Sequence, residues 1–552
     1  MTIRLLTLVG LAAILAAGCT AKQEPATPPK VMAEVHFVGA KQAAADPQGT
    51  TLKKVGAMAE SKALLNHLFN RVSEAPAILG QGIISSNAAA ATRPVLNTMA
   101  KELWDNEFAL ILQGAEKIPT DYTLAVRLDP NRLGVWRTNI AAIAGLWNLG
   151  TIRQGTAAGL LTMEVGDPIS PVRLRWVESG EWGLLGVGTP SLPGLAKMLQ
   201  TVGAGQRPVP ELSGTWLEAS IDLQTLAPSI NLPTDFPWPH LDIQFRGDGE
   251  NVRSSGTLTF PEDVTGPLEA WQVPTNIVTE PLITFSAARG IAPLLEKVQL
   301  LKNLGLAPAP NRLFTWGLQA SAGQVFMAFP MPGLTNQLPK IAQQAPDLIP
   351  SAFSPSGKPD VFYDSTNHTI VWRGTVPIIV PSFQSMTGPG GEYAVAGLFP
   401  SFPVSPPPAE LLNQLAATNL IHYSWEITEH RIKQWLMLTQ LGSVMSKTPQ
   451  MSRAQPALPW LQAAAPLLGN SATEIVAESP RKWSFNRKSQ IGLSGPELVL
   501  LARWIESVHF PLADLEVQPS AAPVKPGVPA KSTTAPAAKP QTPRALPPAT
   551  KR

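Results

Sequence analysis

The sequence predicts an α+β fold built on antiparallel sheets, with helices covering one face. Three segments carry this prediction, because each has two short apolar runs around a turn, then a proline and an apolar helical stretch. Strands joined by short turns pair antiparallel, and a helix with one apolar face buries that face against the sheet. The recurrence leaves two readings open: a diverged internal duplication, or a common unit that repeats by chance.

The three segments are spread along the chain at unequal spacing, which argues against a solenoid. The turns fall at Ser179-Gly180, at Ala322-Gly323 and in the polar stretch after Phe485. In chain order, the predicted strand pairs and their helices are Val172–Val177 with Trp182–Val187 before Pro193–Leu199; Leu313–Gln319 with Val325–Phe329 before Pro332–Ile341; and Lys482–Phe485 with Ile491–Leu493 before Pro496–Trp504.

Other elements follow from local signals. Ser61 is predicted to cap a helix with Leu64, Leu65, Leu68, Phe69 and Val72 on one face. Asp129-Pro130 predicts a helix start, since an acid at the N-cap and a proline in the first turn favour one. Further predicted strands are Met32–Val38, Phe108–Leu112, Tyr122–Leu128, and the hairpin of Leu241–Arg246 with Val252–Phe260 around Asp248-Gly249.

Changes in composition along the chain predict its domain organisation. The stretch Pro261–Pro281 is irregular and proline-bearing, and beyond Pro511 proline, alanine, lysine and threonine dominate, which cannot bury apolar area. The predicted organisation is a signal peptide at 1–18, a linker at 19–30, an α+β domain at 31–262, a linker at 263–281, an α+β domain at 282–515, and a disordered Pro/Ala/Lys-rich tail at 516–552.

The first residues carry an export signal. One positive charge at Arg4 precedes an apolar run from Leu5 to Ala17, which is shorter than the roughly 20 residues that a bilayer-spanning helix needs. The run ends in Leu15-Ala-Ala-Gly-Cys19, which resembles the lipobox of bacterial lipoproteins. The resemblance implies cleavage before Cys19, lipidation of its thiol and tethering to a membrane outside the cytoplasm. Thr20 in place of an aspartate favours the outer membrane over the inner one.

The charge distribution argues against a nucleic-acid binder. The net charge of +3 includes Arg4 and six cations in the tail, so the rest of the chain carries −4. A nucleic-acid-binding domain would present a basic face on a folded body. Charged residues make up only 15% of the chain, which suits a protein of the cell envelope and equally reflects an alanine- and proline-rich composition.

Motifs for known chemistry fail on spacing, so the sequence predicts no catalytic residue, no metal site and no cofactor. His422 and His430 are eight positions apart, whereas a zinc-peptidase helix needs two histidines within one turn. Ser479-Pro-Arg-Lys482 matches Ser-x-x-Lys but precedes a strand pattern rather than a helix. Cys19 is the sole cysteine, so its lipidation would leave no thiol for catalysis. A carboxylate pair for glycoside hydrolysis stays open, since its spacing depends on the fold.

These observations favour a non-enzymatic binding or scaffolding protein tethered to a membrane, whose basic tail contacts a cell-wall polymer or an envelope protein. The alternatives are a hydrolase of envelope or extracellular polymers that uses a carboxylate pair, and a carrier for lipid or lipoprotein with a large apolar cavity. The tryptophans on predicted strands are expected in the core, although they could line a ligand groove; they are Trp176, Trp182, Trp216, Trp316, Trp425 and Trp483.

The anchor is testable by a single substitution. Cys19→Ala removes the thiol that would carry the lipid, so we expect the protein to move from the membrane fraction to the soluble envelope fraction. Fractionation followed by immunoblotting measures this change. If the variant stays with the membrane as the wild type does, the lipoprotein assignment is wrong.

Overall fold

The computed structural model describes residues 29–79, 84–115, 118–157, 159–167, 173–230, 232–278, 280–298, 308–319, 324–348, 360–373, 380–400, 407–446 and 454–512. The predicted signal peptide, Cys19 and the tail at 516–552 lie outside these residues. Helices and antiparallel strands alternate along the chain, which establishes the α+β class. None of the described helices is long and apolar enough to cross a bilayer.

The strands are short and mostly joined in consecutive pairs. Their bounds are β1 Lys30–Phe37, β2 Phe108–Ala115, β3 Ile118–Arg127, β4 Ile152–Ala157, β5 Leu160–Val165, β6 Arg173–Ser179, β7 Trp182–Gly188, β8 Leu217–Asp222, β9 His240–Asp248, β10 Asn251–Thr259, β11 Leu282–Arg289, β12 Arg312–Leu318, β13 Val325–Pro330, β14 Asp360–Asp364, β15 Thr369–Arg373, β16 Ser382–Gly388, β17 Gly391–Gly397, β18 Leu420–Ile427, β19 Asn470–Ser479 and β20 Lys482–Ser489.

The helices fall between groups of strands. Their bounds are α1 Ala40–Ala45, α2 Thr50–Ala57, α3 Ala59–Leu79, α4 Ser86–Asp105, α5 Pro130–Leu146, α6 Pro193–Gly203, α7 Leu223–Leu226, α8 Ala292–Leu295, α9 Leu334–Leu348, α10 Ala409–Asn413, α11 Thr428–Ser446, α12 Ala457–Ala464 and α13 Gly495–Glu506.

All twenty described strands belong to one antiparallel sheet. In space their order is β4-β5-β6-β7-β3-β2-β1-β8-β9-β10-β20-β19-β18-β11-β12-β13-β17-β16-β15-β14. Adding ten to each strand number of the first half gives the second half read from the opposite edge. The two halves therefore share one connectivity, and β10 pairs with its own counterpart, β20.

The strand order shows whether the three predicted hairpin-plus-helix segments occupy equivalent positions in the two halves. The first two segments form the hairpins β6–β7 and β12–β13, each followed by a helix, whereas the third contains only β20 and α13, because β20 pairs with the preceding strand β19. Their places in the shared connectivity differ, because the counterparts of β6–β7 are β16–β17, and those of β12–β13 are β2–β3. The three segments thus do not occupy equivalent positions in the shared connectivity, which extends over ten strands in each half.

Helices cover both faces of the sheet, so the predicted single covered face is wrong. In β2 and β3, alternate residues enter different cores: Leu110 and Leu124 pack in the core that includes α3 to α5, while Ala109 and Ala125 pack on the opposite side with α6. Consecutive apolar residues, 108–111 in β2 and 124–126 in β3, are buried on both faces of these strands. We call the side with α3 to α5 the helix face and the side with α6 the open face.

The core on the helix face joins the two halves. It runs from Met32 to Val252 in the first half and takes in Ile432 to Phe510 from the second. Helix α12 packs against α3, where the Trp460 indole donates to the Ser61 hydroxyl at 3.0 Å. Segments from both sides of the predicted linker at 263–281 contribute to one sheet and one core. The division into two domains at this linker therefore stays a prediction.

Local predictions succeed where the signal is confined to adjacent residues. Asp129 caps α5, and its carboxylate accepts from the Asn131 backbone N–H at 2.9 Å. Ser61, by contrast, is not an N-cap, because α3 begins at Ala59 and the Ser61 hydroxyl donates to the Val55 carbonyl. The hairpin predicted within 482–493 is also wrong, because β20 continues to Ser489 and pairs with the preceding strand, β19.

A buried arginine joins two connecting segments to the end of β11. Arg289, at the end of β11, is 5% exposed. Its guanidinium donates 2.7 to 3.1 Å hydrogen bonds to the backbone carbonyls of Glu269, Ala417, Thr418 and Leu420. A planar fork can reach several carbonyls at once, whereas an ammonium group donates from a single atom.

We expect Arg289→Lys to lower the free energy of unfolding by about 3 kcal/mol, since hydrogen bonds to a charged donor contribute about 1.5–3 kcal/mol each and lysine keeps only some of them. Urea denaturation measures the change. Arg481→Lys is the matched control, because Arg481 is 59% exposed and pairs with Asp263 at the surface. Equal destabilisation by both substitutions would contradict this role for Arg289.

Candidate functional site

The structure separates the residues that the excluded motifs would have combined. His422 lies in β18, whereas His430 lies in the first turn of α11. Ser479 and Lys482 face each other across the turn between β19 and β20, and the Lys482 ammonium pairs with Glu478 at 2.8 Å. Within the described residues, no group of three or more His, Cys, Asp or Glu side chains could hold a metal ion.

The tryptophans lie mainly in the core, as expected. Trp176, Trp182, Trp216, Trp316 and Trp483 are each at most 8% exposed. Trp425 differs, since it is half-buried at the border between the core around Phe285 and the uncovered centre of the sheet. These side chains stabilise the fold, so a candidate binding site must consist of other residues.

The centre of the open face is polar and accessible. Five neighbouring strands, β8, β9, β10, β20 and β19, place side chains there in two rows that run across the sheet. The first row is Glu218, Gln244, Ser255, Asn486 and Glu474; the second is Ser220, Asp242, Thr257, Ser484 and Val476. All ten are exposed or half-exposed. We call these two rows the polar rows.

Apolar cores border the polar rows on both sides. Leu195 of α6 packs over β2, β3 and β7 on one side, and Leu411 of α10 packs over β11 and β12 on the other. These helices occupy corresponding positions, because each connects the seventh strand of its half to the eighth. The shared connectivity therefore leaves the same central strands uncovered in both halves.

A serine, a histidine and an aspartate meet at one end of the polar rows. The Ser220 hydroxyl lies 2.9 Å from His240 Nε2 and donates to the Asp242 carboxylate at 2.8 Å. The Asp242 carboxylate also lies 3.3 Å from the same His240 Nε2. A serine-hydrolase triad needs the carboxylate on the other ring nitrogen, so that Nε2 is free to take the serine proton. The three residues therefore form a surface hydrogen-bond cluster rather than a triad.

A groove of about 370 Å³ follows the polar rows over β10 and β20. Hydroxyl, amide and carboxylate groups line it, and Val476 is its apolar side chain. Glu474 in the groove and Asp242 beyond it are separated by three strand spacings, which is roughly 14 Å. Paired glycosidase carboxylates lie about 5–9.5 Å apart, so these two carboxylates do not make such a pair.

Two buried carboxylates are held in the ionised form by their partners. Burial raises the pKa of Glu107, but its hydrogen bond with His36 and the nearby Arg207 outweigh burial and leave the pKa below its ordinary value. Burial likewise raises the pKa of Asp222, yet Lys30, at 2.7 Å, and Thr225 bring it below the ordinary range. A general acid must be protonated at the working pH, which these two are not.

Glu426 and His422 differ from those carboxylates. Burial raises the pKa of Glu426 even though the Gly495 backbone N–H donates to its carboxylate at 2.6 Å. Burial also lowers the pKa of His422 to about 4, and the charge of Arg487 adds to this shift. Both side chains lie on the helix face of β18. Sequence reasoning considered His422 only as a zinc ligand and could not foresee these pKa shifts, because burial depends on tertiary packing.

No family model, curated protein or solved structure matches this chain. Its functional assignment therefore depends on the residues themselves.

The low pKa of His422 predicts a pH dependence of stability. In the unfolded chain its pKa returns to about 6.5, so between pH 6.5 and 4 the unfolded state binds a proton that the folded state does not. Above about pH 6.5, His422 is neutral in both the folded and the unfolded state, so it does not reduce the free energy of unfolding. The free energy of unfolding falls by up to about 3 kcal/mol as the pH drops from about 6.5 to about 4.

We expect His422→Gln to show a smaller loss of stability than the wild type over this pH range, measured by urea denaturation at each pH. His430→Gln is the control, because His430 is half-exposed near the start of α11. Its curve should run parallel to the wild-type curve. If the His422→Gln curve also runs parallel to it, the histidine is not the group responsible.

Proposed function

We propose that this protein is a non-enzymatic binding or scaffolding protein of the cell envelope, tethered through lipid on Cys19, and that the polar rows are its docking surface. The observation that carries the proposal is the accessible polar strip across five strands between two helix-covered flanks. Its hydroxyl and amide groups both donate and accept hydrogen bonds, which suits recognition of a polar partner surface.

The proposed anchor keeps this surface close to the membrane. Lys30, the first residue of β1, lies eleven positions after Cys19. A fully extended chain of that length spans at most about 40 Å. A lipidated Cys19 would thus hold the body near the bilayer, with the outer membrane as the proposed location.

We further infer that the body arose by internal duplication of a ten-strand half. The support is the strand order, which repeats in full from the opposite edge and places β10 beside β20. Equivalent positions of α6 and α10, and of α5 and α9, add to it. In this view the docking surface spans the junction at which the two copies met.

A polymer hydrolase is the second candidate, and one observation favours it. Glu218 and Asp242 are diagonal neighbours on β8 and β9, a separation of roughly 7 Å that suits an inverting glycosidase. Both side chains lie exposed on the face of the sheet, where water competes for every contact. Activity on an envelope polymer that Asp242→Asn abolishes would establish this candidate in place of the first.

Site-specific photocrosslinking in intact cells tests the docking surface. A photoreactive residue at Gln244 or Asn486 should give adducts of defined mass, because both side chains are exposed in the first polar row. The control position is Lys101, which is exposed on α4. A truncated protein that ends near Val517 should give the same adducts, since the tail is not part of this surface.

Two results would contradict the proposal. Adducts that form equally at Lys101 would show that contact at the polar rows is not specific. Adducts that vanish with the tail would move the binding role from the sheet to the basic segment.

A further inference from the structure

The helix face differs in chemistry between the two halves. In the first half, β1, β2 and β8 place Val35, Leu110 and Ala219 side by side, each at most 5% exposed and part of the core. In the second half, the corresponding strands β11, β12 and β18 place three hydroxyl residues side by side: Ser286, Thr315 and Ser424. All three are half-exposed.

The neighbouring cross-strand triplets show the same difference. In the first half they are Ala33, Leu112 and Ile221, and Phe37, Phe108 and Leu217, all apolar. In the second half they are Thr284, Gly317 and Glu426, and Ala288, Leu313 and His422. A covered sheet face is stabilised by apolar residues, so the polar residues of the second half need another explanation.

The hydroxyls continue into the next strand. Thr473 of β19 pairs with Ser424, and its hydroxyl accepts from Arg487 Nε at 2.8 Å. We call Thr315, Ser286, Ser424 and Thr473 the hydroxyl row. It crosses four adjacent strands, so it extends over roughly 14 Å at the usual strand spacing.

Two arginines lie near the hydroxyl row, and each has an opposite charge beside it. Arg487 donates to the Glu497 carboxylate at 2.5 Å. Arg431 of α11 donates to the Gln434 side-chain carbonyl and interacts with the charge of Glu426.

Gln434 of α11 is 1% exposed and its Nε2 has no hydrogen-bond partner in the described structure. Its amide lies against Gly317, where a Cβ atom would come within 3.1 Å of it. At the β12 end, Met327 pairs with Thr315 and is 41% exposed, which supplies an apolar contact.

We propose that the hydroxyl row is a binding site for a neutral oligosaccharide that lies across the strands. Each hydroxyl both donates and accepts a hydrogen bond, which matches a ligand whose own groups do the same. An anion would need an unpaired cation, whereas Arg487 is paired with Glu497 and Arg431 lies beside Glu426. An apolar ligand would leave the hydroxyls without partners once water is excluded. The site is on the face opposite the polar rows and is independent of their proposed function.

Calorimetric titration of the full chain with Cys19→Ala tests the proposal. The probes are tetrasaccharides of glucose in β-1,4 and α-1,4 linkage, of xylose and of N-acetylglucosamine. We expect at least one to bind, and the double variant Thr315→Val with Ser424→Ala to bind it about tenfold more weakly, since two hydrogen bonds to the ligand are lost. Thr315→Ser keeps the hydroxyl and should keep most of the affinity.

The matched control is Thr98→Val with Thr138→Ala, which removes two exposed hydroxyls from α4 and α5, outside both polar surfaces. This control should bind the oligosaccharide as the wild type does. The proposal is overturned if none of the four probes binds to the folded wild-type chain, or if both double variants lose affinity equally. Circular dichroism establishes that each variant is folded.

Discussion

The pairing of β10 with β20 is the interaction on which the rest of the structure depends. Eight residue pairs, from Val252 with Ser489 to Thr259 with Lys482, join two ten-strand halves into one sheet. Without this ladder each half would expose an unpaired edge strand, which is a template for aggregation. The helix layer reinforces the junction, because α11 to α13 of the second half pack in the core of the first.

The junction also explains where accessible polar surface occurs. Helices α6 and α10 bury the open face only at the flanks, so the strands nearest the junction keep a solvent-facing side. On the helix face, Val252 at the junction is buried in the core shared by the two halves. The hydroxyl residues lie away from the junction, on β11, β12 and β18. Two polar surfaces thus arise on opposite faces of one sheet, and each belongs to a different part of the molecule.

Prediction from the sequence succeeded for elements whose signal is local. Asp129-Pro130 begins a helix because the cap and the first turn are adjacent residues, and the hairpin at Asp248-Gly249 forms because its strands are joined by a tight turn. The failures involve competition between elements. The residues after Phe485 look like a polar turn, yet they extend β20 because β10 and β19 supply hydrogen-bonding partners on both sides.

By itself, the sequence determined the α+β class, most of the hairpins and helices, the expectation that the tryptophans are buried, and the absence of the motifs tested, because each depends on residue type and short spacing. The strand order, the covering of both faces and the abnormal pKa values of Glu426 and His422 were decided only by the tertiary structure. The physical reason is that β10 and β20 lie more than 200 residues apart, and which surfaces they bring together is set by the packing of whole halves.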